Sequence, residues 1–191
     1  SNDFRMVGSP IEDTRLSDWQ HPTLSNGFLY CGFGGSNYTW IGCGNFCSVY
    51  FYNESQASDD DPTLGYDSAT NITNFVTPAK GTIIYSSSGS KKLTVTGSPE
   101  LDDFNVQISK GSNDSDRGWN LVSNPYPCTI DWSLFRASNT GIDNANWIYS
   151  GDAGNFIQST NNIPHSQGFW VKKTSSGTSN ISFELNHTVS S

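Results

Sequence analysis

Aromatic side chains are the residues of this sequence whose chemistry best suits ligand binding. The chain has 6 tryptophans, 8 tyrosines and 11 phenylalanines in 191 residues, although only 34% of its residues are hydrophobic. A flat aromatic ring can stack on the apolar face of a sugar ring, while Asn, Gln and Asp side chains bind the hydroxyl groups. The rings predicted to be exposed for such contacts are those of Trp19, Trp40, Tyr126 and Trp170. Packing against loops is the alternative interpretation of each.

The acidic residues suggest a metal ion more than a reaction. Asp59, Asp60 and Asp61 follow one another in the most polar segment of the chain. Ca²⁺ is bound by several carboxylate and carbonyl oxygens, so calcium is the one cofactor that this run suggests. The spacing does not follow an EF-hand, and a solvated acidic turn is the alternative. Neighbouring carboxylates also give no reason to expect the facing pair, roughly 5–9 Å apart, that a glycosidase needs.

No residue pattern of a familiar active site is present in the sequence. The three histidines, His21, His165 and His187, do not occur in an H-x-x-x-H or H-E-x-x-H spacing. A G-x-S-x-G nucleophile motif is also absent from the sequence. The histidines are expected to be solvated surface residues, no catalytic residue is predicted, and the chain is not expected to be an enzyme.

The four cysteines, Cys31, Cys43, Cys47 and Cys128, predict two disulfides. Zinc is the competing interpretation, but the spacing is not CxxC…CxxC and no histidine is close in sequence. Disulfides are typical of proteins in oxidising compartments. The pairing that we favour is Cys31–Cys43 with Cys47–Cys128, where the second bridge would join the two parts of the chain. Three pairings remain open from the sequence.

Composition limits the partners and the compartment. The net charge of −8 disfavours nucleic acid, because such a surface repels phosphates. No apolar run approaches the length of a membrane span, so membrane insertion is not expected. Charged residues are 15% of the chain, against about a quarter in average proteins, and Ser, Thr, Asn and Gly are abundant. This composition is typical of a secreted, turn-rich β protein.

The elements that position these residues are predicted to be short strands. Alternation of apolar and polar residues indicates strands at 4–7, 28–33, 38–41, 48–53, 82–86, 92–97, 104–109, 119–123, 147–149, 156–158, 168–173 and 181–185. A helical period does not persist beyond one or two turns anywhere, and 14–19 is predicted to form a short helical turn. The sequence therefore predicts an all-β fold, a sandwich or jelly roll of mostly antiparallel strands, as a single domain over 1–191.

An internal repeat divides this predicted domain into two related halves, about 1–110 and 118–191. Four pairs of segments match in the same order: 4–10 with 119–125, 49–52 with 147–150, 78–85 with 164–171, and 93–96 with 181–184. An ordered set of matches is the usual sign of a duplication. In the later copy, Pro125 and Pro127 fix an extended corner that returns Ile130 and Trp132 to an apolar layer. Trp119, Trp132 and Trp147 occupy apolar-patterned positions and are predicted to lie in the core.

These segments resemble a recurring β-sandwich region of large secreted bacterial proteins that use type IX secretion. The stretches that carry the resemblance are 118–127 (GWNLVSNPYP), 130–132 (IDW), 163–171 (IPHSQGFWV) and 78–82 (PAKGT). Ala79 and Thr82 depart from the glycine and aromatic residue usual in the last of these. The resemblance covers about Phe4 to Thr188 and implies a secreted or cell-surface location. It carries over no catalytic residues.

Two functions are therefore expected. The first is a non-catalytic extracellular accessory module that binds a polysaccharide through its exposed aromatic residues. The second is a structural or adhesive spacer, or a protein-interaction domain, that contacts neighbouring domains of a larger secreted protein and has no glycan site.

Overall fold

This computed structural model describes residues 3–19, 48–71, 73–86, 93, 95–150 and 154–189. The described residues include ten strands and one α-helix. The strands are β1 (Asp3–Val7), β2 (Val49–Tyr52), β3 (Tyr66–Ser68), β4 (Thr82–Ser86), β5 (Phe104–Lys110), β6 (Trp119–Ser123), β7 (Asn146–Ser150), β8 (Asn155–Ser159), β9 (Gly168–Lys172) and β10 (Gly177–Phe183). All their pairings are antiparallel. The predicted all-β class is confirmed.

The strands form two four-stranded sheets and one two-stranded ribbon. The N-terminal sheet has the order β1-β4-β2-β3, and the C-terminal sheet has the order β6-β9-β7-β8. The ribbon pairs β5 with β10 over its whole length, from Phe104 opposite Phe183 to Lys110 opposite Gly177. The two larger sheets face each other and form a sandwich, as the alternation of apolar residues along the strands predicts.

Both sheets have apolar residues on both faces, and these residues form three clusters. The N-terminal core contains Leu16, Trp19, Val49, Ala69, Val76 and Ile84, with Leu93 and Val95 packed against it. The C-terminal core lies under the ribbon and is centred on Tyr126, Ile130, Phe135, Phe169, Val171 and Phe183. The inter-sheet cluster lies between the sheets and contains Met6, Ile83, Leu121 and Trp170, with six aromatic residues packed against them.

The α-helix, α1 (Trp132–Ser138), was not predicted from the sequence. Its N-cap is Asp131, whose Oδ1 accepts hydrogen bonds from the amides of Ser133 (2.8 Å) and Leu134 (3.3 Å). Trp132 and Phe135 are one turn apart and are both buried in the C-terminal core. The helix has only seven residues, which is too short for a helical period to be recognised. The predicted turn at 14–19 is a 3₁₀ helix over Leu16–Trp19.

One strand prediction, that of 92–97, is corrected by the structure. The described residues 93 and 95–97 are not in a strand, although 92–97 is predicted to be one. Leu93 and Val95 still pack against the N-terminal core, so their side chains point inward without a β-ladder. The strands predicted at 28–33 and 38–41 lie outside the described residues. None of the described helices is long and apolar enough to cross a membrane.

The N-terminal and C-terminal sheets have equivalent strand orders, in which β1, β4, β2 and β3 correspond to β6, β9, β7 and β8. The connections between them are also reciprocal. The amide of Gly8, after β1, donates to the Ser166 carbonyl before β9 (2.9 Å), and the amide of Ser123, at the end of β6, donates to the Ala79 carbonyl before β4 (2.9 Å). Ala79 and Ser166 have nearly the same positive φ, 59° and 60°. Ala79 therefore corresponds to Ser166 in the structure. The predicted match of 78–85 with 164–171 places Ala79 opposite His165, so that match is wrong by one residue.

Candidate functional site: an aromatic cleft between the sheets

The alternation of side chains along the strands builds a site between the two sheets. In β9, Phe169 and Val171 point to the C-terminal core, while Trp170 between them points to the inter-sheet cluster. In β2, Val49 packs in the N-terminal core and Tyr50 faces the opposite sheet. Each sheet therefore presents a second row of large aromatic residues to its partner.

These rows do not close completely, and a cleft of about 460 Å³ remains between them. Its lining residues are Tyr52, Thr63, Tyr66, Trp119, Trp147, Phe156 and Trp170. Three come from the N-terminal sheet and the segment before β3, and four from the C-terminal sheet. Six of the seven are aromatic. The cleft is therefore a surface of flat rings supplied by both halves of the molecule.

Trp170 forms the floor of this cleft and is only 5% exposed. Its ring contacts three others edge-on, with centroid distances of 4.7 Å to Tyr52, 6.3 Å to Phe156 and 6.4 Å to Tyr66. Trp119 and Trp147 form a further edge-to-face pair at 4.8 Å. Each such pair stabilises the arrangement by about 0.5–1.5 kcal/mol beyond the area it buries. The rings are therefore held in place without a ligand.

Tyr66 and Phe156 form the rim of the cleft. They are 38% and 51% exposed, and both also line a second cleft of about 310 Å³. The second cleft lies beside β1 and is lined further by Phe4, Met6, Tyr50, Ile83 and Tyr149. The two clefts therefore adjoin at Tyr66 and Phe156.

Polar groups of the cleft are few and keep their protons. Burial and the neighbouring charges of Tyr66 and Glu54 raise the pKa of Tyr52 to about 12, and burial also raises the pKa of Tyr66. Both phenols are therefore neutral hydrogen-bond donors at physiological pH. The indole Nε1 of Trp170 is buried and has no hydrogen-bond partner among the described residues. The Lys172 ammonium lies 4.7 Å from the centroid of the Trp119 ring, a cation–π contact.

The segment that leads into β6 is fixed beside the cleft by a buried ion pair. The Nε of Arg117 donates to Glu54 Oε1 (2.9 Å), which also accepts the amides of Gly111 (3.0 Å) and Gly118 (3.1 Å). Glu54 and Arg117 are 2% and 6% exposed. Burial alone would raise the pKa of Glu54, but the hydrogen bonds together hold it below its ordinary value. This contact joins the two halves near Tyr52.

Of the three predicted sugar-contacting residues that the structure describes, only Trp170 lines the cleft. Trp19 is 2% exposed and packs in the N-terminal core, and Tyr126 is fully buried in the C-terminal core. The expectation that these two rings are exposed is wrong, and it is also wrong for Trp170, which is only 5% exposed although it lines the cleft. Trp40 lies outside the described residues.

The burial of Tyr126 follows from the corner that Pro125 and Pro127 form. The Nδ2 of Asn124 donates to the carbonyls of Cys128 (2.7 Å), Ile163 (3.0 Å) and Pro164 (3.1 Å), while its Oδ1 accepts the Tyr126 amide (2.9 Å). These bonds turn the rigid corner inward, and the Tyr126 hydroxyl donates to the Asp102 carbonyl.

Trp119 and Trp147 line the cleft although the sequence predicts both as core residues. They are half-buried members of the inter-sheet cluster. The alternation along β6 and β7 correctly indicates which residues share a face. It does not indicate whether that face is covered completely.

Two of the three predicted calcium ligands, Asp59 and Asp61, make other contacts. Asp59 accepts hydrogen bonds from Ser112 Oγ (2.7 Å) and Arg117 Nη1 (3.1 Å), and Asp61 caps the 3₁₀ helix over Pro62–Gly65. Asp60 is exposed. In the described ranges, no group of three or more His, Cys, Asp or Glu side chains is arranged to hold a metal ion. Calcium at this run remains a prediction without structural support.

The predicted Cys47–Cys128 disulfide is not formed, because Cys128 carries a free, half-buried thiol that packs against the C-terminal core. Cys31, Cys43 and Cys47 lie outside the described residues, and with them the predicted Cys31–Cys43 bridge.

His187 is not a surface residue, although it is predicted to be one. It is 2% exposed, its Nδ1 accepts the Glu184 amide (3.1 Å) and its Nε2 is 2.9 Å from Ser138 Oγ. Burial lowers its pKa despite the nearby charges of Glu184 and Asp103. His187 therefore connects the C-terminal segment to α1 as a neutral ring. His165 is exposed as predicted, and His21 lies outside the described residues.

Comparisons with known proteins found no match to a family model, to a curated protein or to a solved structure. The chemistry of the cleft is therefore the basis on which a function can be assigned.

Proposed function

We propose that this chain is a non-catalytic binding domain that holds sugar rings of an extracellular polysaccharide in the aromatic cleft. The observation that carries the proposal is the cleft itself, about 460 Å³ in volume and lined by six aromatic side chains from both sheets. Ligand sites in proteins are concave and mostly apolar, with a small number of polar groups that fix orientation. The cleft has this composition.

The lining residues suit a sugar better than an aliphatic ligand. Flat tryptophan and phenylalanine rings match the apolar faces of a pyranose, and the described residues that line this cleft include no aliphatic side chain. The phenol groups of Tyr52 and Tyr66 are neutral, so they can donate hydrogen bonds to sugar oxygens. None of the described lining residues carries a carboxylate or an imidazole, which is why binding is proposed and hydrolysis is not.

The proposal includes a secreted or cell-surface location. It is supported by the resemblance of segments 118–132 and 163–171 to regions of type IX-secreted proteins, and by the low content of charged residues. A polysaccharide is the partner that such a location would supply.

Tryptophan fluorescence tests the proposal, because Trp119, Trp147 and Trp170 all line the cleft. We expect titration with soluble glucans, xylans, mannans or galacturonans to change the emission for at least one polysaccharide. Phe156→Ala should weaken that binding about two- to twelvefold, which corresponds to the loss of one aromatic contact of ~0.5–1.5 kcal/mol.

Phe75→Ala is the matched control. Phe75 is exposed to nearly the same extent as Phe156, 49% against 51%, but does not line the cleft. Binding to none of the polysaccharides, or an equal loss of affinity in both variants, would contradict the proposal.

A second candidate function, a protein-interaction module, is favoured by the edge of the C-terminal sheet. β8 is an edge strand, and Phe156 and Ile157 on it are 51% and 48% exposed. An exposed edge strand with apolar side chains can pair with a strand of a neighbouring domain. In that case, Ile157→Pro should abolish association with the neighbouring domain. Polysaccharides should then leave the tryptophan fluorescence unchanged.

A further inference from the structure

A second site is indicated by an acidic cavity of about 410 Å³ in the N-terminal half. Two backbone hydrogen bonds pair the segments around residues 11 and 99 there. The Glu12 amide donates to the Ser98 carbonyl (3.0 Å), and the Glu100 amide donates to the Pro10 carbonyl (2.9 Å). This pairing brings the carboxylates of Glu12, Asp13, Glu100 and Asp102 to one cavity, whose opposite wall includes Phe75 and Pro78.

Glu100 is the unusual residue of this cavity. The residue as a whole is only 5% exposed, and its carboxylate, which is not among the fully enclosed oxygens, forms no hydrogen bond or ion pair with another described residue. Burial raises the pKa of Glu100, and the charges of Glu12, Asp102 and Asp13 raise it further. A buried carboxylate without a partner is costly unless a cation or donor from elsewhere satisfies it.

A cationic side chain, that of Arg15, contacts this wall but does not satisfy Glu100. The guanidinium of Arg15 lies 3.9 Å from the centroid of the Phe75 ring and donates to the Thr73 carbonyl (2.9 Å). It is therefore engaged with other groups, and none of the described residues that line the cavity carries a positive charge.

The geometry favours an organic cation over a metal ion. The described carboxylates include no group of three arranged to hold a metal, so the four of this cavity do not form such a group. A guanidinium has five donors in a planar fork and can reach several separate oxygens. Its alkyl chain can pack on an apolar wall such as the one formed by Phe75 and Pro78.

We propose that this cavity binds the side chain of an arginine from another polypeptide, with the guanidinium at Glu100 and the alkyl chain against Phe75. The net charge of −8 favours the approach of a basic segment. The proposal is independent of the aromatic cleft and of its ligand.

Calorimetric titration of the full chain at low ionic strength tests this proposal with Nα-acetyl-arginine amide and its neutral isostere, Nα-acetyl-citrulline amide. We expect saturable binding of the arginine compound to one site and at least about tenfold weaker binding of citrulline, since a hydrogen-bonded charge pair is replaced. Glu100→Gln should weaken arginine binding about tenfold while preserving the shape of the cavity.

Asp116→Asn is the matched control. Asp116 is exposed and lies outside the cavity, and its substitution changes the net charge by the same amount as Glu100→Gln. It should alter arginine binding less than twofold. Equal binding of arginine and citrulline, or an equal loss in both variants, would overturn the proposal. Saturable binding of CaCl₂ alone that Glu100→Gln abolishes would overturn it as well, since the cavity would then be a metal site.

Discussion

Among single residues, Glu54 links segments of the two halves at their junction. Its Oε1 accepts three hydrogen bonds from the segment 111–118, and its backbone carbonyl accepts a further bond from Arg117 Nη2 (3.0 Å). Arg117 has one other acidic partner, the more exposed Asp59. Removal of the Glu54 charge therefore leaves a buried guanidinium with incomplete compensation.

Glu54→Gln is expected to lower the free energy of unfolding by about 3 kcal/mol at neutral pH, since one partner of a buried ion pair is removed. The pKa of Glu54 is lowered from 4.5 in the folded state. Its contribution is therefore complete above the unfolded pKa and is lost as the pH falls below 4.5 toward the folded value.

Denaturant unfolding at pH 7 and pH 3 measures this difference. We expect the wild type and Glu54→Gln to differ much less at pH 3 than at pH 7. Asp59→Asn, which affects the exposed partner of the same arginine, should have a clearly smaller effect. A difference that does not depend on pH would show that the Glu54 charge is not the cause.

At the scale of elements, the corner between β6 and α1 determines how the C-terminal half closes. Pro125 and Pro127 supply no amide donors, so the corner is held by side chains instead of a ladder. Asn124 is fully buried, and its Nδ2 satisfies three carbonyls from two segments of the chain. An asparagine is required there because only an amide has both the donors and the acceptor that the corner uses.

Asn124→Asp tests this role, because it changes two donors into an acceptor with almost no change in shape. The expected loss is about 3 kcal/mol or more of unfolding free energy, since three carbonyls lose their donor and a charge is buried. Thermal unfolding followed by circular dichroism measures the loss. Asn161→Asp, at an exposed position, should leave the Tm nearly unchanged. Similar Tm values for the two variants would contradict the assigned role.

The same corner shows how far the sequence predicts the elements. The two prolines and the alternation in 119–123 predict a strand followed by a rigid turn, and both are present. They do not predict the direction of Tyr126, which depends on the acceptors that Asn124 finds 39 and 40 residues away. The sequence also fails to predict α1, because a seven-residue helix is fixed by its cap and its contacts more than by periodicity.

At the scale of the whole molecule, the site depends on two sheets that are apolar on both faces. Periodicity identifies the rows of aromatic residues along β2, β6, β7 and β9, but it does not indicate which row meets a core and which meets the other sheet. Trp119 and Trp147 are therefore predicted as core residues although they line the cleft. Only the contact between sheets, which is non-local, distinguishes these two environments.

That contact is close where the first strand of each half meets the other sheet. A Cβ atom at Gly168 would lie 2.7 Å from the backbone C of Met6 and 2.7 Å from the Val7 N. At the equivalent Gly81 it would lie 2.8 Å from the Val122 carbonyl oxygen and 2.5 Å from Leu121 Cγ. The same requirement for glycine therefore occurs at equivalent positions of the two sheets, and the duplication stays a prediction from the sequence.

Gly168→Ala and Gly81→Ala should each destabilise the chain by about 1–3 kcal/mol, because backbone atoms that face the new methyl group cannot move without separating the sheets. Denaturant unfolding followed by tryptophan fluorescence measures this, since the inter-sheet cluster contains Trp119, Trp147 and Trp170. Gly141→Ala is the matched control, because its added Cβ would meet only Ser179 Oγ at 3.9 Å. If Gly168→Ala and Gly81→Ala were both as stable as Gly141→Ala, the two sheets would be packed against each other less tightly than these distances imply. The cleft between the sheets would then not be a fixed surface.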